Sequence, residues 1–64
     1  MDQPLITEIL NKLQNKEIHE YRVTKEQFLE FRKVLVARED FKFFRGIAQR
    51  GGEVVYTYLD EERS

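Results

Sequence analysis

The residues of this sequence with the most evident capacity for chemistry are a single histidine, two groups of carboxylates and a pair of glycines. His19 is the only histidine, and the chain contains no cysteine, so a multi-histidine or thiolate metal site is excluded. No serine or aspartate stands in an arrangement that would give His19 a part in nucleophilic catalysis. We therefore expect His19 to be an ordinary strand residue that is satisfied by a hydrogen bond or by water.

Carboxylates can act as an acid–base pair or bind a cation, and two groups of them occur in this chain. Glu17 and Glu20 lie in an expected strand edge, and residues 60–62 form an acidic tail, so solvated charge is the better interpretation of both. Gly51-Gly52 lacks the spaced glycines and the following lysine and hydroxyl residue of a phosphate-binding loop. The sequence predicts a protein that is not an enzyme and that needs no cofactor and no metal.

The most informative side chains are aromatic and basic ones in the C-terminal third of the chain. We predict a partner-binding surface made of five residues: Arg45, Ile47, Arg50, Tyr56 and Tyr58. Tyrosine and arginine are enriched at protein interfaces, and the same residue types stack on the bases of single-stranded nucleic acid. The alternative is that the two tyrosines cover the core and keep only their hydroxyls at its rim.

These residues lie in a segment, residues 41–59, that predicts a β-hairpin. Its second arm is rich in β-branched and aromatic residues, which pack well on a pleated surface. Gly51-Gly52 supplies the positive φ angles of a tight turn. Gly46, inside the first arm, marks either a bulge or a close approach of the backbone to a neighbour.

Two registers of the hairpin remain open. A two-residue loop (51–52) places Arg45 opposite Tyr58, whereas a three-residue loop (50–52) places Phe44 on the same face as the tyrosines. A shift of one residue exchanges the faces of a strand. We favour the two-residue loop, because it gathers the smaller apolar set into a compact core.

The hairpin is preceded by two amphipathic helices and a short strand. Asp2 and Pro4 are suited to the first turn of a helix, and one apolar stripe predicts that this helix covers about residues 4–15. Residues 17–23 alternate in polarity and predict a short strand at a sheet edge. Residues 24–27, TKEQ, fit a capping box and predict a second helix over about residues 24–37.

The second helix is apolar over roughly 220° of its circumference, which is more than one small sheet requires. Either this helix is sandwiched between the sheet and the first helix, or part of it meets a partner. The predicted fold class is α+β in the order α-β-α-β-β, with two helices packed on one face of a small sheet that the C-terminal hairpin dominates. Residues 24–40 are long enough for a helical crossover, which allows the first strand to join the hairpin in one mixed three-stranded sheet. Residues 1–64 are expected to form one domain, with residues 61–64 frayed.

The distribution of charge and the absence of a long apolar stretch also bear on the expected function. The formal net charge is -1, but residues 21–50 carry eight basic and four acidic side chains, which gives +4, and the tail is acidic. No stretch approaches a membrane span and no signal peptide is visible, so we expect a cytoplasmic protein without membrane contact. The predicted function is a non-catalytic protein-interaction module, a homodimeric small regulator or adaptor, whose partners are itself and an unidentified protein.

The alternative function is a nucleic-acid-binding regulator with a winged-helix layout. In that layout residues 38–44 form the recognition helix, residues 45–58 form the wing, and Arg50 lies at its tip. The segment has few base-reading side chains, and the whole chain is not basic. One contiguous basic stripe through Arg45 and Arg50 would favour nucleic acid, whereas dispersal of the basic residues would favour a protein partner.

Overall fold

The computed structural model describes residues 2–62, and it has the predicted α+β fold with the order α-β-α-β-β. The regular elements are α1 (Gln3–Gln14), β1 (Tyr21–Val23), α2 (Phe28–Val36), β2 (Phe44–Ala48) and β3 (Val54–Tyr58). Single 3-10 turns at Phe41–Phe43 and Arg50–Gly52 precede and follow β2. Within the described residues no helix is long and apolar enough to cross a membrane.

Helix α1 begins and ends within one residue of its predicted bounds. The Leu5 backbone N–H donates a 3.0 Å hydrogen bond to Asp2 Oδ1, so Asp2 caps the helix as its short acceptor side chain predicts. The buried residues of α1 are Ile6, Ile9, Leu10 and Leu13. Their stripe faces α2 and the sheet, and this burial is the main stabilising contribution of α1.

Helix α2 is shorter than predicted, because it begins at Phe28 instead of Thr24. Residues 24–27 form a tight turn, in which the Gln27 N–H donates to the Thr24 carbonyl at 3.1 Å. The glutamine half of the capping box is nevertheless present, since the Thr24 N–H donates to Gln27 Oε1 at 3.5 Å. The chain leaves β1 directly before this turn, so its first hydrogen bonds span three residues instead of four and the α-helix starts one turn later.

The three strands form one antiparallel sheet with the order β1-β3-β2. The prediction of a mixed sheet was therefore wrong. Strands β1 and β2 point in the same direction, but β3 lies between them and pairs antiparallel with both. Strand β1 is three residues long instead of seven, so the sheet has one short edge and one longer edge, β2.

The hairpin closes with the three-residue loop, so the favoured two-residue register was wrong. Phe44 lies opposite Tyr58, and Gly46 lies opposite Tyr56. The Gln49 N–H donates to the Glu53 carbonyl at 2.7 Å across the base of the loop. This register turns Phe44 and both tyrosines towards the helices and therefore buries the larger apolar side chains, which stabilises the fold more than burial of the smaller set.

Phe31 of α2 lies at the centre of the core and is completely buried. Its ring stacks on Tyr56 with a centroid distance of 5.1 Å and on Tyr21 with a centroid distance of 6.1 Å. Tyr58 packs edge-on against Phe44, with a centroid distance of 4.9 Å. Such aromatic pairs contribute about 0.5–1.5 kcal/mol each beyond the area that they bury.

The C-terminal segment is tied back to the body of the molecule as far as it is described. The Leu59 N–H donates to the Phe43 carbonyl at 2.7 Å, and Asp60 forms a 2.9 Å ion pair with Lys16. Glu62 lies 3.6 Å from Lys42 Nζ. Of the residues expected to fray, 63 and 64 lie outside the described part of the chain.

Candidate protein-binding edge of the sheet

The structure divides the five predicted binding residues between two faces of the hairpin. Arg45 and Ile47 lie on the face of the sheet that points away from the helices, and Ile47 is 41% exposed. Arg50 is exposed in the loop. Tyr56 is only 4% exposed on the opposite face, and Tyr58 is half-buried beside it. The five residues therefore do not form one surface.

The two tyrosines are held in place by packing. Tyr56 stacks on Phe31, and the Tyr58 ring lies parallel to Phe43 with a centroid distance of 5.7 Å. Lys16 Nζ lies 5.5 Å from the centroid of the Tyr58 ring, within the range of a cation–π contact. Their position matches the alternative in which the tyrosines cover the core, and it leaves Arg45, Ile47 and Arg50 as the surface members of the predicted set.

The backbone of β2 leaves a row of hydrogen-bonding groups without a strand beside them. In an antiparallel ladder, residues whose N–H and C=O face the partner strand alternate with residues whose groups face away. The bonds at Gln49 and at Phe43 fix the phase of this alternation, so Arg45 and Ile47 bond to β3. The outward-facing groups belong to Phe44, Gly46 and Ala48, of which the Phe44 N–H already donates to the Phe41 carbonyl. We call this row the open edge of β2.

A groove of about 330 Å³ runs beside this edge, between α2 and the sheet. We call it the β2 groove. Phe28, Arg32 and Val36 line it from the helix. Gly46 and Ala48 form part of its floor, and both are exposed although they face the helix side of the sheet. Gly46 has no side chain and that of Ala48 is small, so neither fills the space between β2 and α2. This end of the sheet therefore remains exposed on its helix side.

The groove residues were not predicted individually from the sequence, although one signal pointed to them. At 100° per residue, Phe28, Arg32 and Val36 lie within about 80° of one another on α2. They belong to the broad apolar arc that exceeded the needs of one sheet. Val36 is 45% exposed, so part of the excess apolar surface of α2 does border this groove.

Cations surround the open edge of β2. Arg32 lines the groove, Arg45 lies on the other face of the strand, and Arg50 follows it in the loop. Among residues 2–62 none of these three arginines has a carboxylate in ion-pair range. In contrast, Lys42 at the start of the strand already has an acidic partner in Glu62. The edge therefore has a local positive charge.

The outer face of the sheet carries little other apolar surface. Val55 of β3 is only 7% exposed, because Arg22 and Ile47 flank it in the two neighbouring strands. Arg22 reaches across to Glu53 in a 2.7 Å ion pair. Polar side chains therefore cover most of the apolar surface on this face, and Ile47 beside Arg45 is the part that stays exposed.

Two other basic residues, Arg38 and Lys33, lie away from this edge. The Arg38 guanidinium is bonded to both carboxylate oxygens of Asp40, at 2.8 and 3.2 Å, and to the side-chain oxygens of Asn11 and Gln14. It is therefore committed to joining α1 to the end of α2. Lys33 lines a separate groove of about 480 Å³ between α1 and α2, together with Asp2 and Glu30.

Within residues 2–62, no group of three or more histidine or acidic side chains is placed to hold a metal ion. His19, Glu17 and Glu20 are all exposed. The arrangement is instead suited to binding, because an unpaired strand edge, an apolar groove and local positive charge occur side by side.

Comparison with known proteins identifies the family of this chain. Neither the curated proteins nor the solved structures contain a match to this chain. The model of the family described as YkzS-like protein matches residues 3–57. This match covers both helices, the whole sheet except Tyr58, and the open edge of β2. The chain therefore belongs to the YkzS-like protein family.

Proposed function

We infer that this protein is a non-catalytic protein-interaction module, a small regulator or adaptor that binds another protein through the open edge of β2 and the adjoining β2 groove. The observation that carries the proposal is the coincidence of unpaired backbone groups at Gly46 and Ala48 with an apolar groove directly beside them. Unpaired edges of this kind are templates for binding of an extended chain. Arg45, Ile47 and Arg50 flank the edge and contribute to the contact.

Self-association is part of the same proposal. Leu29 on α2 is 70% exposed, and it lines neither the groove between α1 and α2 nor the β2 groove. A large exposed aliphatic side chain on a helix is a suitable centre for an isologous contact between two copies.

The positions of the basic residues support a protein partner over nucleic acid. Arg38 is bonded within the molecule, Lys33 faces the groove between α1 and α2, and Lys42 is paired with Glu62. Arg32, Arg45 and Arg50 lie around the open edge of β2, and these three other basic residues do not extend them into one longer stripe. A formal net charge of -1 also limits the counterion release that drives binding to phosphate backbones.

The segment that would be the recognition helix of a winged-helix protein is not an α-helix in this structure. Residues 38–44 contain only the 3-10 turn Phe41–Phe43, which is too short to be inserted into a major groove as a helix. The hairpin and its exposed Arg50 remain compatible with a wing. Nucleic-acid binding is therefore retained as the rival outcome of the experiment.

The test is affinity capture from lysate of the source cell, with and without nuclease treatment, followed by mass spectrometry. We expect the wild-type chain and the Lys33→Glu variant to capture the same proteins after nuclease treatment. The Arg45→Glu variant should fail to capture them. The two variants change the net charge equally, on different sides of the molecule. Capture that depends on nucleic acid, or submicromolar binding of a labelled oligonucleotide with a steep salt dependence, would favour the rival instead.

A further inference from the structure

We propose that the open edge of β2 binds an extended segment of another protein in which apolar side chains alternate with acidic ones, so that this segment becomes the fourth strand of the sheet. The proposal rests on the function inferred above and adds the chemistry of the partner. Three properties of the edge determine that chemistry: the direction of its backbone groups, the groove on one face and the arginine on the other.

The backbone requires a strand-like partner. The N–H and C=O groups of Gly46 and Ala48 and the C=O group of Phe44 point away from β3, as the phase of the ladder shows. The Phe44 N–H is already bonded, because it donates to the Phe41 carbonyl. Gly46 and Ala48 are exposed, so no part of the described chain shields them. An extended segment laid along β2 satisfies these groups at the spacing of about 4.8 Å that separates paired strands.

The groove requires apolar side chains on one face of the added strand. Side chains of neighbouring strands that lie opposite each other share a face of the sheet. Alternate residues of the added strand therefore project into the β2 groove, where Phe28 and Val36 border the floor formed by Gly46 and Ala48. Medium-sized aliphatic side chains fill this space and cover exposed apolar surface.

The other face favours acidic side chains. The intervening residues of the added strand lie beside Arg45 and Ile47 on the outer face. Arg45 has no carboxylate partner among residues 2–62, and Arg50 lies close by in the loop. A carboxylate beside an unpaired arginine gains charge-assisted hydrogen bonds and a faster encounter.

The same arginine argues against a second copy of this chain as the occupant. If two β2 strands paired antiparallel about Gly46, each Arg45 would lie opposite Ile47 of the partner and diagonal to its Arg45, at about 7–8 Å. Parallel pairing would bring the two arginines to about 4.8 Å. Like charges oppose both arrangements, whereas an acidic segment is attracted. The edge is thus protected against its own copy and open to a complementary partner.

The experiment uses the full chain and defined peptides. The probe is a fluorescein-labelled peptide of sequence VEVDVEV, and its counterpart carries lysine at the three acidic positions. By fluorescence anisotropy we expect saturable binding of the acidic peptide below about 1 mM and at least about tenfold weaker binding of the lysine peptide. The Arg45→Glu variant should instead bind the lysine peptide more tightly than the acidic peptide. Lys33→Glu makes the same change of charge on the other side of α2. This variant should keep the wild-type preference for the acidic peptide.

Two further tests examine the backbone contact. Ala48→Pro removes one outward N–H but no bond to β3, and edge strands tolerate proline, so we expect a folded variant with about tenfold weaker binding. On the peptide side, N-methylation of the valines blocks antiparallel addition, and N-methylation of the acidic residues blocks parallel addition. Hydrogen exchange of the Gly46 and Ala48 amides should slow in the complex, while the amide of Arg22, at the other edge, should be unaffected.

The outcomes separate this inference from the function on which it rests. Binding lost with one methylated peptide and retained with the other supports strand addition. Binding that survives both or neither, that prefers the lysine peptide, or that leaves Gly46 and Ala48 unprotected overturns it, as does the absence of saturable binding. If lysate proteins are still captured in an Arg45-dependent way, the interaction function stands without strand addition. If no protein is captured, the proposed function itself fails.

Discussion

At the scale of single residues, Gly46 determines how the sheet meets its core. A Cβ atom at this position would lie 2.9 Å from Tyr56 Cε1 and 3.1 Å from Val54 Cγ1. The first distance is shorter than real contacts of this kind, and the Tyr56 ring is held by Phe31. Of the two roles considered for Gly46, the close approach is therefore confirmed, since the continuous pairing of β2 leaves no bulge.

Gly46→Ala should therefore destabilise the protein by about 1–3 kcal/mol, the usual cost of overpacking. A urea titration followed by circular dichroism measures the change. Gly51→Asn is the control, because Gly51 has a φ of 78° and no neighbour within 4 Å of an added Cβ, and asparagine tolerates this conformation. If Gly46→Ala unfolded at the wild-type midpoint, the ring would have room to move and the steric account would be wrong.

At the scale of elements, the hairpin register decides which side chains are buried. The three-residue loop places Tyr58 with Phe44 on the helix side, whereas Thr57 lies on the outer face. One residue more or less in the loop exchanges these roles. Gly51 and Gly52 both have positive φ, as either loop length permits, so glycine content alone does not distinguish the two registers.

Tyr58→Ala should destabilise the fold by about 2–4 kcal/mol, because it removes a ring that packs on two phenylalanines. The value lies towards the lower end for aromatic truncations, since Tyr58 is half-buried. Thr57→Ala, its neighbour on the opposite face, should shift stability by less than about 1 kcal/mol. Urea midpoints of the two variants test this contrast, and equal midpoints would contradict the register.

At the scale of the whole molecule, the notable feature is the burial of a hydrophobic core by so short a chain. A domain of this size buries only about 60% of the surface of its unfolded chain, and this chain has no disulfide to assist. It combines a central phenylalanine stacked between two tyrosines with side-chain links such as those of Arg38. What remains exposed, Leu29 above all, is the surface on which association is proposed.

Wild-type protein at roughly tens of micromolar should therefore contain more than one chain per particle, because association covers Leu29. Light scattering after size exclusion measures the mass. Leu29→Lys should give a monomer of native fold. Leu5→Lys is the control, since Leu5 is also an exposed leucine of a helix but lies on α1. A wild-type monomer, or dissociation by both variants alike, would refute a dimer centred on Leu29.

Much of this protein was determined by local sequence. The α1 stripe and its Asp2 cap, the existence of α2, the strand-forming residues of β3 and the Gly51-Gly52 turn all follow from periodicity, capping and backbone preference. These properties depend on residues within a few positions of one another. The fold class and the order of its elements could be predicted for this reason.

Tertiary structure alone decided the register, the strand order and the binding edge. The register depends on which aromatic set α2 covers, and β3 is central because it pairs with both β1 and β2. The edge of β2 is open because β3 lies on one side of it and, among residues 2–62, no strand lies on the other. Local sequence does not encode such features, since they result from competition among distant side chains for one small core.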